Sequence, residues 1–421
     1  MVFAIFYGLA PGAFHIANAV GYDYTWAPYT RYTHQLYPLS LVLIVVSYLF
    51  LRAGWLVAGT FYDSGTALYD NTAGDTDDAK LMTKIVITAW LLLVASIAVY
   101  YLYSLAYGGF VGLAAVSNAL RAGWAEISNP WSFLKRFGGL TIVASYLFLV
   151  AIRANHVGGH RYTSRLGFIL SFIFSLYVLL TWQGRLTLAF YILSLILADS
   201  AFRQRRIRTS TLFVLGALIS SMLFAGDSLL YIFRQAIGES GRSSIFAEKP
   251  GLESVQDFVL GELSFPIVSI NTALTSIYNG VTDMRFFVDI YLGLLGLIPQ
   301  RWLTNTIETA STINGRLIDS SLAGTIPTDL ISFGVYSLGA YGPPVVSFIL
   351  GLSARITQRY ITEIRPSGLG VVLFFAYGLT IARSIAYADP TQILEGSFYL
   401  LLGTAITLLV LKVRFGGAHE S

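Results

Sequence analysis

Long apolar stretches restrict the fold of this chain more than any other feature of its sequence. Hydrophobic residues make up 55% of the 421 residues and charged residues only 12%, whereas soluble domains average roughly 45–50% and 25%. The stretches approach the ~20 residues that cross a bilayer as a helix, and they lack the alternation of outer-membrane barrel strands. The sequence therefore predicts an all-α, polytopic membrane protein.

We expect about ten transmembrane helices, because each apolar stretch is counted as one span. The predicted spans are residues 1–16, 37–58, 83–106, 137–152, 164–182, 186–202, 211–227, 333–353, 369–387 and 393–411. No basic region precedes the first span and no small-residue cleavage site follows it, which argues against a signal peptide. Since neither a second soluble domain nor an internal repeat is visible, residues 1–421 are predicted to form a single polytopic membrane domain.

The region 228–335, between the seventh and eighth main spans, interrupts this regular series. Its two apolar runs, 263–274 and 286–298, are shorter than a span. Such runs are typical of re-entrant or interfacial helices, or of the core of an external cap. If both runs crossed the membrane, the orientation of the later spans would not change.

Arginine and lysine indicate which loops face the cytoplasm. They cluster in every second loop and at the C-terminus: Arg153, Arg161 and Arg165; Arg203, Arg205, Arg206 and Arg208; Arg355, Arg359 and Arg365; Lys412 and Arg414. Cytoplasmic loops of membrane proteins carry an excess of basic residues. We therefore expect both termini to be cytoplasmic and the region 228–335 to be a large external loop or cap.

Several classes of function are disfavoured by composition. The chain has no Cys, and its five His residues lack the spacing of metal ligands, so we expect no resident metal. The net charge of +4 is small and lies mostly beside apolar spans, which favours membrane anchoring over nucleic-acid binding. No Gly-rich phosphate-binding loop is present, so no nucleotide cofactor is expected.

A second set of arginines lies on the external side of the predicted topology. It comprises Arg185, in a short turn between two spans, Arg383, near the external end of the ninth span, and Arg234, Arg285, Arg301 and Arg316. For any one of them, snorkelling or an ion pair is an equally good explanation. Together they predict an anionic ligand at the outer leaflet, because the planar guanidinium binds phosphate in a bidentate manner.

Carboxylates also crowd the region 228–335 and supply candidate general bases. They are Glu253, Asp257, Glu262, Asp283, Asp289, Asp319 and Asp329. A transfer to a hydroxyl group requires one carboxylate that accepts the proton of that hydroxyl. Any one of these residues is more often a solvated charge or a partner of arginine, and Asp257 and Glu262 also precede an apolar run, where acidic residues favour a helix start.

Four short sequences in this part of the chain carry a resemblance to a known family. They are LGELSFP at 260–266, IPQR at 298–301, GTIPTDLISFG at 324–334 and GAYG at 339–342. They resemble the external loop of bacterial oligosaccharide repeat-unit polymerases, the Wzy class. The turn at Gly184 and Arg185, and Arg383 late in the penultimate span, are similar to features of the same class, and the resemblance covers roughly residues 140–410.

The resemblance implies a fold similar to the GT-C glycosyltransferases and a location in the bacterial inner membrane, with the active face in the periplasm. The implied activity transfers a glycan from undecaprenyl diphosphate to a sugar hydroxyl of another lipid-linked repeat unit, as in O-antigen and lipopolysaccharide synthesis. Arg185, Arg301 and Arg383 would contact the diphosphate, supported by Arg234, Arg285 and Arg316. Glu262, Asp257 or Asp329 would act as the base, and a chain-length-regulating co-polymerase is an implied partner.

Two alternative functions remain at this point. An O-antigen ligase shares the architecture but is expected to need an external catalytic His, and the region 228–335 contains none. A polysaccharide or lipid transporter commonly shows repeated halves and ionisable residues at the membrane midplane. In this sequence the halves do not look alike and the charges collect at one face, which favours the polymerase.

Overall fold

The computed structural model describes residues 2–19, 36–61, 75–121, 129–153, 161–182, 185–202, 252–298, 308–318, 326–362, 364 and 367–411. Within these ranges every regular element is a helix. In the first half of the chain the α-helices are α1 (Val2–Ala19), α2 (Tyr37–Phe61), α3 (Asp75–Leu105), α4 (Gly109–Arg121), α5 (Leu140–Arg153), α6 (Arg161–Thr181) and α7 (Arg185–Phe202). In the second half they are α8 (Leu252–Tyr278), α9 (Val288–Leu295), α10 (Ala310–Ile318), α11 (Leu330–Leu338), α12 (Gly342–Thr362), α13 (Ser367–Ala386) and α14 (Pro390–Leu411).

Seven helical segments in the described residues are long and apolar enough to cross a membrane. They are Tyr37–Thr60, Lys80–Leu105, Ser132–Arg153, Arg161–Thr181, Leu330–Thr362, Gly368–Ala386 and Pro390–Leu411. The prediction of an all-α membrane protein with several spans is therefore confirmed. The predicted spans 1–16 and 186–202 coincide with the 18-residue helices α1 and α7, whereas the predicted span 211–227 lies outside the described residues.

The helices of the region 228–335 differ in length from its two apolar runs. The run 263–274 is the second half of α8, a 27-residue helix whose earlier turns are more polar. The run 286–298 contains the eight-residue helix α9. A search for apolar stretches detects only the part of α8 that carries no charged residue, which explains why α8 is longer than the run.

The chain divides into two compact units, each assembled from separate parts of the sequence. The first unit comprises Met1–Asp63, Ser243–Ile356 and Thr380–Glu395. The second comprises Ser64–Arg242, Thr357–Leu379 and Gly396–Ser421. Residues from the region 228–335 therefore share the first unit with the N-terminal helices.

Packing in the first unit centres on α8. The helix α1 lies against α8, and Phe14 shares a buried apolar cluster with Ile267. A second buried cluster joins Tyr7 of α1 and Ile270 of α8 with Tyr336 of α11. The N-terminal helix is thus part of the same core as α8 and α11.

A close helix crossing holds α2 against α12 in the first unit. A Cβ atom at Gly54 would lie 2.1 Å from the carbonyl oxygen of Phe348, and one at Gly351 would lie 2.1 Å from that of Leu51. Small residues let membrane helices approach backbone to backbone in this way. The guanidinium of Arg355 lies 5.3 Å from the Trp55 ring centroid at the same crossing.

The second unit is built around α5, which is buried along almost its whole length. Eleven consecutive residues, 140–150, are buried. Hydroxyl groups join this helix to its neighbours: Thr141 bonds to Ser175 of α6, and Tyr146 bonds to Ser194 of α7, both at 2.6 Å. Such bonds between helices satisfy polar groups that would otherwise be stranded in an apolar environment.

Candidate functional site

Five charged residues of the first unit surround the start of α10. They are Arg285, Asp289, Glu308, Arg316 and Asp389, which we call the arginine–carboxylate cluster. The cluster joins the segment before α9 and the first turn of α9, the segment before α10 and the last turn of α10, and the segment before α14. It is a candidate site because it concentrates charge in the part of the chain where the sequence predicted an anionic ligand.

The central interaction of the cluster is a bidentate pair between Arg285 and Asp289. The Nε and Nη2 atoms of Arg285 donate to the two carboxylate oxygens of Asp289 at 2.6 and 2.9 Å. Nη2 also donates to the backbone carbonyl of Glu308 at 2.6 Å. The Asp289 side chain is completely buried and that of Arg285 is 11% exposed, so the pair is a fixed internal element.

Two buried carboxylates hold the start of α10. The Oδ1 atom of Asp289 accepts the N–H of Ala310 at 2.8 Å, and Oδ2 of Asp389 accepts that of Ser311 at 3.1 Å. Asp389 also accepts hydrogen bonds from the N–H and the hydroxyl of Thr391, at 2.8 and 2.6 Å. One residue thus ties the start of α14 to the start of α10, and negative charge at both helix starts is favourable.

The outer part of the cluster is an exposed ion pair. Nη1 of Arg316 lies 2.7 Å from Oε1 of Glu308, and the two side chains are 57% and 48% exposed. Glu308 therefore connects Arg316 through its side chain and Arg285 through its backbone carbonyl. The structure brings Arg285 and Arg316 close together, but each of them pairs with a carboxylate of the same chain. An ion pair was one of the two ordinary explanations for these arginines in the sequence.

An unusual backbone turn precedes α9. Phe286 and Phe287 have φ angles of 46° and 61°, in the left-handed region that bulky residues rarely adopt. The N–H groups of Arg285 and Phe286 donate to the carbonyl oxygens of Tyr336 and Ser337, both at 2.9 Å. The turn is thus attached to the end of α11, and it aims the Arg285 side chain at Asp289.

Asp329, a predicted candidate base, caps α11. Its Oδ1 atom accepts the Ile331 and Ser332 N–H groups and the Tyr7 hydroxyl, the last at 2.6 Å, and Oδ2 accepts the Ser332 hydroxyl. The side chain is completely buried. Burial raises the pKa of the Asp329 carboxyl, while the donors from Ser332 and Tyr7 act in the opposite direction. These contacts account for the residue as a helix cap, and its role as a base stays a prediction.

Arg383 differs from the paired arginines of the first unit. It lies in the last turn of α13, is half-buried, and its guanidinium carbon is 5.4 Å from the ring centroid of Tyr387. Among the residues that the structure describes, no carboxylate pairs with it. Its charge is therefore not balanced by a carboxylate in this part of the chain.

The other predicted site residues are placed less fully. Arg185 is the first residue of α7 and follows α6 after a short connection; it belongs to the second unit. Asp257 and Glu262 both lie on α8, five residues apart. Arg234 and Arg301 lie outside the described residues.

Sequence reasoning missed two participants in these contacts. Glu308 had no recognisable spacing to either arginine, whereas the i, i+4 relation of Arg285 and Asp289 was a usable signal. Tyr7 is 322 residues from Asp329 in the sequence, and no local pattern joins them. The Asp389-Pro390 pair had the form of a helix start, with an acidic cap followed by proline.

Comparisons with known proteins add no relative. No protein-family model matches the chain, and neither a curated protein nor a solved structure matches it. The function of the site is therefore inferred from its own residues alone. Within the described ranges no group of three His, Asp or Glu side chains converges as a metal site would require.

Proposed function

We propose that this protein is a membrane glycosyltransferase that polymerises lipid-linked oligosaccharide repeat units. The observation that carries the proposal is Arg383, a half-buried cation near the end of the span Gly368–Ala386 with an aromatic ring beside it. No carboxylate pairs with it among the described residues. Arginine in or near a span is costly, and an anionic group of a lipid substrate would supply the missing counter-charge.

The proposed reaction forms one glycosidic bond and releases one lipid diphosphate. A hydroxyl oxygen of the incoming repeat unit attacks the anomeric carbon of the growing glycan, and the bond from that carbon to undecaprenyl diphosphate breaks. The hydroxyl proton passes to a carboxylate base, for which Glu262, Asp257 and Asp329 are the candidates. The diphosphate leaves with its electron pair, and Arg185, Arg301 and Arg383 stabilise the charge that develops on it.

The paired arginines have a different part in this proposal. Arg285 and Arg316 are held by Asp289 and Glu308, so they support α10 and contribute less to diphosphate binding than Arg383 does. Arg234 would assist from the external region. This division follows from charge balance, because an arginine already paired with a carboxylate attracts an anion less strongly.

The wider setting of the proposal follows the sequence resemblance. We infer a GT-C-like arrangement of about ten spans in a bacterial inner membrane, with both termini in the cytoplasm and the active face in the periplasm. The substrate is an undecaprenyl-diphosphate-linked oligosaccharide of the kind used for O-antigen or a related surface polysaccharide. A chain-length-regulating co-polymerase is the proposed protein partner.

A transporter is the second candidate, and one observation favours it. Three carboxylates of the first unit, Asp289, Asp329 and Asp389, are completely buried, and buried acidic residues mark ion pathways in many transporters. Each of them, however, accepts backbone N–H groups at a helix start. Helix capping therefore explains their burial without transport.

Release of lipid diphosphate separates the two candidates. Purified protein in detergent would be incubated with an undecaprenyl-diphosphate-linked repeat unit, and free undecaprenyl diphosphate would be measured. The polymerase releases one such molecule for each glycosidic bond formed. A transporter releases none, and that result, obtained with monodisperse protein, would exclude the proposed reaction.

A further inference from the structure

The segment 278–298 exposes eight large apolar side chains. Phe286 is 72% exposed and Tyr291 is 58% exposed. The exposed apolar residues of this segment are Tyr278, Val281, Met284, Phe286, Ile290, Tyr291, Leu294 and Ile298. A contiguous set of large apolar side chains marks a surface that meets another apolar phase or molecule.

The helix α9 has two different faces. Asp289, Leu292 and Gly293 are buried, and a Cβ atom at Gly293 would lie 2.9 Å from the backbone carbonyl carbon of Pro390. This close backbone approach and the Arg285–Asp289 pair fix the helix on the first unit. The opposite face is consequently directed away from the unit. It carries one apolar stripe, formed by Ile290, Tyr291 and Leu294.

The length of α9 excludes a crossing of the membrane. Eight residues extend for about 12 Å at 1.5 Å per residue, whereas the hydrocarbon core is about 30 Å thick. A helix too short to span, fixed to the protein on one side and exposing apolar side chains on the other, fits an element that lies in the membrane interface.

The turn before α9 directs a further aromatic side chain outward. Phe286 adopts a backbone conformation that is unfavourable for a bulky residue, and its N–H group is attached to the carbonyl oxygen of Ser337. A strained backbone persists where the surrounding structure enforces it, and it often serves a function. In this turn its effect is to hold an exposed phenyl ring directly before the start of α9.

This surface continues into the surface of a membrane span. Met284 approaches Gly339, where an added Cβ atom would lie 3.0 Å from the methionine Cε. Gly339 belongs to the span Leu330–Thr362, whose next exposed apolar residues are Tyr341, Val345 and Ile349. The exposed side chains of a span contact lipid, so lipid is the neighbour that the adjoining segment meets first.

We propose that the segment 278–298 is an interfacial element whose exposed apolar face is immersed in the bilayer. This face lies at the boundary between lipid headgroups and acyl chains. Aromatic residues are enriched at that depth in membrane proteins. Asp289 and Arg285 lie on the inner side of the same element, so the element sets the arginine–carboxylate cluster at headgroup depth. This inference requires only that the chain is a membrane protein and does not rest on the proposed enzymatic activity.

The absence of Cys from the chain makes a direct test straightforward. Single variants Phe286→Cys, Ile290→Cys and Tyr291→Cys would carry a nitroxide label in the full-length protein, reconstituted in phosphatidylcholine and phosphatidylglycerol vesicles. Electron paramagnetic resonance would measure collision with oxygen, which concentrates in the acyl region, and with a water-soluble nickel chelate. We expect oxygen collision to exceed nickel collision at all three positions.

Two further labelled variants calibrate the measurement. Leu91→Cys lies on the exposed side of the span Lys80–Leu105 and defines the lipid value. Asp75→Cys lies at the charged start of α3, before that span begins, and defines the aqueous value. Nickel collision at Ile290 and Tyr291 as high as at Asp75 would overturn the proposal. So would low collision with both reagents, because it would show that protein, such as a second copy of the chain, covers the face.

Tyr291→Cys and Ile290→Cys keep the test valid if the strained position does not tolerate substitution. Both residues lie in a regular helix with exposed side chains, so their replacement leaves the buried face of α9 intact. Elution of each variant as a single species would show that it is folded. The result is also independent of catalysis, so an inactive protein with lipid-exposed labels would reject the polymerase and retain the interfacial element.

Discussion

Asp289 and Asp389 lie one hundred residues apart in the sequence, yet they accept hydrogen bonds from consecutive backbone N–H groups at the start of α10. Each carboxylate has a second attachment, Asp289 to Arg285 and Asp389 to Thr391. The start of α10 is therefore fixed from two sides. It provides a rigid support for the exposed pair of charges at its two ends, Glu308 and Arg316.

Removal of Arg285 should destabilise the protein strongly. Arg285→Leu leaves the buried Asp289 carboxylate without its cation, and loss of one partner from a buried ion pair costs about 3–5 kcal/mol. The measurement is thermal unfolding in detergent, followed by tryptophan fluorescence.

Arg316→Leu provides the matched control in the same cluster. Its pair with Glu308 is about half exposed, and exposed pairs contribute about 0–1 kcal/mol. Equal stability losses in the two variants would show that Arg285 and Asp289 are not a buried pair.

Asp329 should make stability depend on pH in a particular direction. Burial raises the pKa of its carboxyl above the ordinary value of 3.8, so the folded state favours the protonated form. Its stabilising contribution is full below 3.8 and is lost as the pH rises through the folded pKa. Asn is neutral throughout, so the unfolding free energy of Asp329→Asn relative to wild type should increase over that window.

Chemical unfolding at a series of pH values from about 3.5 upward would measure this difference. Asp283→Asn serves as the control because Asp283 is exposed. A difference that decreases with pH would show that the donors from Tyr7, Ser332 and the backbone outweigh burial, and that the ionised form is the stable one.

The crossing of α2 and α12 should not tolerate a methyl group. Gly351→Ala places a Cβ atom 2.1 Å from the Leu51 carbonyl oxygen, and the backbone must separate to admit it. Overpacking of this kind costs about 1–3 kcal/mol. The same unfolding measurement applies, with Gly8→Ala as control.

Gly8 lies in α1 and an added Cβ atom there meets nothing within 4 Å. Its replacement should be neutral or stabilising by up to about 1 kcal/mol, because alanine favours helix more than glycine does. If both variants unfolded at the wild-type temperature, α2 and α12 would not be in close backbone contact.

Arg383→Ala and Arg185→Ala should each abolish chain extension while leaving the protein folded and inserted. Both remove a cation from the proposed diphosphate site, and loss of one group that stabilises developing charge lowers turnover by roughly 10²–10³-fold in comparable cases. Arg165→Ala is the control, because Arg165 is exposed and lies in a predicted cytoplasmic cluster. Wild-type modal chain lengths in both external variants would contradict these roles.

The sequence predicts the membrane helices well because each helix is defined by its own composition. Spans such as Arg161–Thr181 are long apolar segments between charged ends, and no distant residue is needed to recognise them. The short helix α4 was not predicted, since its 13 residues are too few for a span. The polar first half of α8 was missed for the related reason that it is not uniformly apolar.

The candidate site is less predictable because its contacts join distant parts of the chain. Asp329 has the form of a helix cap, directly before the apolar run of α11, and this reading was available from the sequence. Its bond to Tyr7 was not, since no spacing relates an N-terminal helix to a residue more than three hundred positions away. Charge alone likewise could not separate Arg285, which is paired, from Arg383, which packs against an aromatic ring.

The most direct test of the proposed function is the product formed from a single substrate. Purified wild-type protein would be incubated with one undecaprenyl-diphosphate-linked repeat unit and no second lipid acceptor, and the glycans would be separated by size. We predict a ladder of products that differ by one repeat unit each. Unchanged substrate, or glycan transfer only after a different lipid acceptor is added, would contradict the polymerase and indicate a transporter or a ligase, respectively.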